Sequence, residues 1–219
     1  DMNDVDKFWN SPAPPPQIKH TEIKEMTGGA GTGTLATTML WTLKSGTTAL
    51  QEDRTMVFNP IEGGVAIDMT MKLTAKDTVA VFEPTKEGML AIRVAHWMRE
   101  KEFTGEYLSS NGDKTAKNVW GKRAEWVTLQ GNKDESKVGI AIMNHPSSEN
   151  APTFWHARNY GLFSANPLGQ VIFQKAHKVD VEDYELTLQP GESALFKFNV
   201  VIYDGHKTKA ELDAIYSQY

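Results

Sequence analysis

The chain has no cysteine, which excludes disulfides, thiolate metal sites and cysteine nucleophiles and is compatible with both a cytoplasm and a bacterial periplasm. No apolar run approaches the ~18 to 20 residues that would span a bilayer. Blocks of like charge are missing too. The 23 basic and 28 acidic side chains, net −5, are interspersed, which offers no basic block to neutralise a phosphate backbone, and no nucleic-acid partner is expected. The opening "DMNDVDKFWN" has neither a start methionine nor a charged-then-apolar leader, so the expectation is a domain whose N-terminal part has been removed or lies elsewhere. Helical period is almost absent. It occurs only in "TKAELDAIYSQY", where Leu212, Ile215, Tyr216 and Tyr219 recur at three and four behind a Thr208 to Glu211 capping box.

What the chain does have is period two. In "VAIDMTMKL" Val65, Ile67, Met69, Met71 and Leu73 share one face and Ala66, Asp68, Thr70 and Lys72 the other. "LATTMLWTL" alternates likewise, with Leu35, Met39, Trp41 and Leu43 on one side, and "KSGTT" turns the chain into "ALQEDRTMVF" as a hairpin. Further strands are expected in "TVAVFE", "MLAIRVAHW", "AEWVTLQG", "KVGIAIMN", "QVIFQKA", "YELTLQ" and "SALFKFNVVIYD". About ten to twelve strands with turns between them predict an all-β fold, a single large antiparallel β-sandwich over 1–219 with a short C-terminal helix. The "SPAPPP" run reads as a stiff linker or protected edge. In "TGGAGTGTL" the glycine spacing and the flanking segments are wrong for a dinucleotide fingerprint, so a flexible turn is expected.

Candidate chemistry concentrates in "NHPSSENAPTFWHARNYGLFSANPLG", Asn144 to Gly169, which fits neither helical nor strand period and reads as a long irregular segment. If "WHARNY" is locally extended, His156, Arg158 and Tyr160 face one side and Trp155, Ala157 and Asn159 the other. His145 ends a strand that Pro146 stops, a good place for proton transfer. In "EPTKEGMLAIRVA" Glu87, Met89, Ala91 and Arg93 share a side and Lys86 lies on the other, and Glu87 stands beside a glycine that permits close approach. Trp120, near Lys122 and Arg123, could stack on a sugar ring, whereas Trp126 is expected in the core. Two histidines and a carboxylate would also suit a metal, but eleven residues between His145 and His156 match no ligand spacing with a mechanical reason, and His20, His96, His177 and His206 form no pattern.

The strings "TKEGMLAIRVA", "NVWGKRAEWV", "NHPSSENAPTFWHARNYGLFSANPLG" and "GESALFKFNVVIYDG", in order from about Phe8 to the C-terminus, together resemble the PmoA-like family of bacterial proteins. The resemblance implies a β-sandwich and little biochemistry. The methane oxygenase label attached to that family does not suit a chain without a spanning segment. By architecture the family looks similar to galactose mutarotase-like sandwiches, in which a strand-end histidine and a glutamate serve as acid and base on a sugar. Its members carry a histidine-rich "HHRGLW"-like segment before the "FW" that here is Phe8-Trp9, and this chain starts after it.

These readings converge on one expectation: an extracytoplasmic protein that processes a sugar or other small ligand in a sugar-sized cleft. His145 or His156 would be the acid and Glu87 the base, with Arg158, Asn159, Tyr160, Arg93, Lys86, Trp120 and Trp155 binding substrate. No cofactor is required and no metal is assigned. Two alternatives stay open, a glycan-binding module that stacks sugar on Trp155, Tyr160 and Trp120, and a metal-dependent oxygenase built on His145, His156 and Glu87.

Overall fold

A computed structural model of the chain describes residues 2–3, 7–8, 13–29 and 31–219. Trp9, Ser11 and Pro12, named above, and Ala30 lie outside them. Eight strands form one antiparallel sheet in the spatial order Gln17–Thr27 (β1), Gly33–Thr42 (β2), Thr48–Ile61 (β3), Gly64–Ala75 (β4), Ser193–Asp204 (β13), Ser136–Asn144 (β9), Trp126–Lys133 (β8) and Glu106–Ser109 (β7). A second antiparallel sheet runs Phe154–Arg158 (β10), Leu162–Asn166 (β11), Leu90–Arg93 (β6), and Leu186–Leu188 (β12) pairs with Ala80–Phe82 (β5). Short helices cover Ala116–Val119 (α1), Gln170–His177 (α2) and Lys209–Tyr216 (α3).

The alternation in the sequence explains the layering. In β4 the residues Met69, Met71 and Leu73 turn inward, and across the ladder Met69 opposes Phe198 and Met71 opposes Phe196 on β13. They join Trp155, Ala157, Phe163 and Ala165 of the three-stranded sheet and Phe82 and Leu188 of the two-stranded pair in one core. Burial of that face against smaller sheets is what a half-apolar strand set requires. On the outer face of the large sheet Trp126, Met143, Val201, Tyr203 and Leu212 form a second, smaller core under α3, against which Ile215, Tyr216 and Tyr219 pack. The cap of α3 is a reciprocal box: the Thr208 hydroxyl accepts from the Glu211 amide, and the Thr208 amide donates to the Glu211 carboxylate at 2.7 Å.

The sequence reading contains neither the short strand β7 nor the one-turn helix α1, and three further differences have a physical reason. "QVIFQKA" is helix α2, not a strand: a short apolar run looks the same in both, and here Val171 and Phe173 are buried while Lys175 is exposed. The segment expected to be irregular contains the hairpin β10–β11. Phe154 to Ala157 are all buried, so no inside-outside alternation marks the strand: the core lies on one side and Phe173 of α2 on the other, stacked on Phe154 at 5.7 Å between centroids. Finally, β1 is exposed along its whole length. An edge strand that buries nothing leaves no hydrophobic pattern to read, and the two register irregularities in its pairing with β2 are of the kind that protects an edge.

One glycine of the outer core has a testable reason. Gly139 on β9 opposes Tyr203 on β13, and a Cβ there would stand 2.2 Å from Tyr203 Cζ. The Tyr203 ring lies over the glycine and its hydroxyl bonds Thr128 Oγ1 at 2.7 Å and Gln130 Oε1 at 3.0 Å; burial pushes that phenol up to about 12. Gly139→Ala is expected to cost about 1–3 kcal/mol by overpacking, read as a lower urea midpoint at unchanged slope.

Candidate functional site

A cleft of about 460 Å³ lies beside β6 and β11. Glu83, Thr85, Glu87 and Arg93 give it polar groups, and Phe8, Trp41, Phe82, Met89 and Leu162 give it apolar wall. Trp41 is held by a buried carboxylate: its Nε1–H donates to Glu52 Oε2 at 2.9 Å, and Arg54 Nε donates to Glu52 Oε1 at 2.7 Å. Glu52 is only 1% exposed, so the ion pair compensates a charge that burial alone would make costly.

The segment that carries Glu87 has no regular structure of its own, and its order comes from the sheet beneath it. His156 and Ser164 are cross-strand partners on β10 and β11, and Asn166 follows Ser164 by two residues, so all three side chains emerge on one face. Each holds a carbonyl of the loop. The His156 Nδ1–H donates to Lys86 O at 2.8 Å, the Ser164 hydroxyl to Gly88 O, and Asn166 Nδ2 to Thr85 O at 2.9 Å. All three residues are buried, so these bonds form out of competition with water. The loop closes with the Met89 amide donating to Ala165 O at 2.8 Å and the Glu87 amide to Thr85 Oγ1 at 3.1 Å. Gly88 sits at φ 137°, a conformation other residues rarely adopt.

The protonation of His156 follows from its partners. A carbonyl can only accept and an arginine Nε can only donate, so Nδ1 carries the hydrogen for Lys86 O and Nε2 accepts from Arg158 Nε at 2.8 Å. Burial, and then the neighbouring Arg158 charge, hold its pKa below the ordinary histidine value, against the pull of Glu87, whose Oε2 is 3.9 Å from Nδ1. The imidazole is therefore neutral with both nitrogens occupied. Its role in this arrangement is to position the loop and Arg158. Glu87, its side chain 37% exposed and 3.2 Å from Lys86 Nζ, is the carboxylate that this loop presents to the cleft, whose lining also includes Glu83.

The other residues singled out in the sequence divide. Arg93 reaches the cleft with its guanidinium over the Tyr160 ring at 5.0 Å; Tyr160 lies in the β10–β11 turn. Arg158, Asn159 and Trp120 line a different cavity, of 390 Å³. His145 does not join Glu87. Asn144 opposes inward-facing Phe198, so the alternation turns His145 the other way, where its ring meets Tyr219 edge-on at 5.0 Å and its Nδ1 accepts from the Ser147 hydroxyl at 2.8 Å. Trp155 is not a platform for a ligand: it is fully buried, with Nε1–H donating to Ala124 O at 2.9 Å. Ser164, Asn166 and Trp41 carry roles that the sequence reading missed. The alternation of Leu162, Ser164 and Asn166 against Phe163 and Ala165 in "LFSAN" was the available signal for the first two.

Among the described residues no group of three or more His, Asp or Glu side chains could hold a metal ion, and no helix is long and apolar enough to cross a membrane.

A family model described as a family of unknown function, DUF6807, matches residues 1–217. The chain belongs to that family. This corrects the PmoA-like resemblance: the strings that suggested it lie within a match to DUF6807, and no PmoA family matches. No curated protein matches the chain. Solved structures that match include an Escherichia coli K12 protein whose assignment as an aldose 1-epimerase is itself provisional. It is 10% identical over 86% of this chain and 69% of its own, at a TM-score of 0.34, a level of likeness that carries no argument about this family member's chemistry.

Proposed function

We propose that the protein binds a carbohydrate of mono- or disaccharide size in the 460 Å³ cleft, with Glu87 as the principal acceptor for the ligand's hydroxyls and Arg93 as a second polar contact. The observation that carries this is the loop Thr85–Gly88: three buried side chains are committed to three of its carbonyls, an investment that fixes Glu87 over an apolar wall containing Trp41 and Phe8, whose rings lie 5.0 Å apart. A sugar offers an apolar C–H face to such a wall and hydroxyls to a fixed carboxylate, and pre-ordering the loop removes a cost that binding would otherwise bear. The exposure of the Glu87 carboxylate in the cleft favours a second reading, sugar processing in which Glu87 removes a hydroxyl proton.

A thermal-shift panel of neutral mono- and disaccharides tests the proposal, because a ligand of the folded state raises Tm. At least one sugar is expected to do so, and Glu87→Gln to weaken it roughly 10- to 100-fold, the usual worth of hydrogen bonds to a charged group. A flat panel, or unchanged affinity in Glu87→Gln, would overturn the assignment. Turnover of the bound sugar that Glu87→Gln abolishes separates processing from binding.

A further inference from the structure

The second cavity, on the other side of Arg158, has a chemistry of its own. Its 390 Å³ are lined by Glu100, Ala116, Lys117, Trp120, Ala157, Arg158 and Asn159. Arg158 is half-buried, and among the described residues no carboxylate pairs with it. Its Nε–H is committed to His156 and its guanidinium stands 5.8 Å from the centre of the Trp120 ring. The two terminal nitrogens form no hydrogen bond with a described residue, and a partly desolvated cation without a counter-ion costs free energy that an incoming anion recovers. Lys117, exposed at the rim, adds a second positive charge without an ion pair among the described residues.

The same lining also holds groups of the other kind. Both Glu100 oxygens accept from the Ala116 amide, at 3.1 and 3.2 Å, and burial pushes that carboxyl upward. It retains lone pairs for a donor, as the Asn159 amide retains both donor and acceptor. Trp120 contributes an indole N–H that is buried and has no partner among the described residues. A bare anion would satisfy Arg158 but would face Glu100 unfavourably. A molecule that carries both a carboxylate and hydroxyls suits both kinds of group. The volume falls at the small end of ligand sites, which run from roughly 300 to 1,000 Å³.

We propose that this cavity is a second binding site, for a small hydroxylated carboxylic acid of the sugar-acid type. Its carboxylate sits on the Arg158 guanidinium and Lys117, and its hydroxyls on Glu100 and Asn159. The site is distinct from the Glu87 cleft but touches it through one residue, since His156 accepts from Arg158 on one side and holds the Lys86 carbonyl on the other.

The test is isothermal titration of the whole chain with D-glucuronate, D-glucose and acetate at fixed ionic strength, together with NMR of the His156 ring. Glucuronate is expected to bind saturably, at least about tenfold more tightly than glucose or acetate, and to move the His156 resonances. Arg158→Gln is expected to weaken it about tenfold or more, a typical share for a charge-assisted pair. Arg158 is tied to a buried histidine, so Lys117→Glu, on an exposed side chain that leaves the fold alone, is the second variant and is expected to weaken binding in the same direction. Lys137→Glu, exposed on β9 and outside the cavity lining, serves as the charge control and leaves the Kd unchanged. The proposal is overturned if glucose or acetate matches glucuronate, if both Arg158→Gln and Lys117→Glu keep the wild-type Kd, or if Glu87→Gln abolishes glucuronate binding, which would place that ligand in the cleft.

Discussion

Trp155→Ala is expected to lower the unfolding free energy by about 3–5 kcal/mol, the usual range for deleting a large aromatic from a core, while leaving the sugar-dependent rise in Tm in place. Three observations set the size. The side chain has no exposed surface. It packs in the main core between the sheets, where Phe163 and Ala165 of the neighbouring strand are also fully buried. Its indole N–H is the partner of Ala124 O at 2.9 Å, so the truncation also orphans a buried carbonyl, whose penalty falls inside that range. The strand has little room to collapse around the gap, because the backbone on both sides of Trp155 is tied down: its amide donates to Lys122 O at 3.0 Å and its carbonyl accepts from Gly121 N at 2.7 Å. Urea denaturation followed at unchanged slope measures the loss. A cost below about 1 kcal/mol together with loss of the sugar response would make Trp155 part of the binding surface.

The contrast between Trp155 and His156 shows where sequence reading stops. Adjacent residues in "FWHAR" are both buried, so neither burial pattern nor residue type separates a core tryptophan from a polar residue that serves a site. What separates them is the partner. Ala124 lies 31 residues from Trp155 and Lys86 lies 70 from His156, and no local period carries such information. Where one face meets the core and the other meets solvent or a helix, as in β4 and β13, the alternation is legible and the elements appear where the pattern puts them. Where both faces are covered, as in β10, or neither is, as in β1, the pattern vanishes and the strand with it. The cleft suffers most from this. Glu87 and Arg93 stand out because they are charges beside a strand of known register. Ser164 and Asn166 look like ordinary small polar residues until the hairpin sets them beside His156. His145 misleads in the opposite sense: a strand-end histidine is attractive for catalysis, yet one residue of alternation puts it on the face of α3.

If His156 is a positioning group, His156→Ala must fail in a way that Trp155→Ala does not. The truncation removes the donor to Lys86 O and the acceptor of Arg158 Nε in one step. Each buried group left unpaired costs about 1–3 kcal/mol, so a loss of about 2–4 kcal/mol is expected after water has re-satisfied part of the site. The Thr85–Gly88 loop then keeps only the ties from Ser164 and Asn166, and the sugar-dependent stabilisation falls along with the fold. A pH series makes the role specific. The folded imidazole is held neutral, its pKa depressed first by burial and then by Arg158, whereas in the unfolded chain it titrates near 6.5. Below that pH the unfolded state takes up a proton that the folded state refuses, so wild-type stability falls as pH drops through 6.5 toward the depressed value, and above 6.5 this contribution is fully present. The variant lacks that dependence. The stability difference between wild type and His156→Ala is therefore expected to narrow as pH falls below 6.5. A difference that stays constant from about pH 8 to pH 5, or widens, would mean that the histidine is not held neutral by burial and Arg158, and the account of how Glu87 is presented would fall with it.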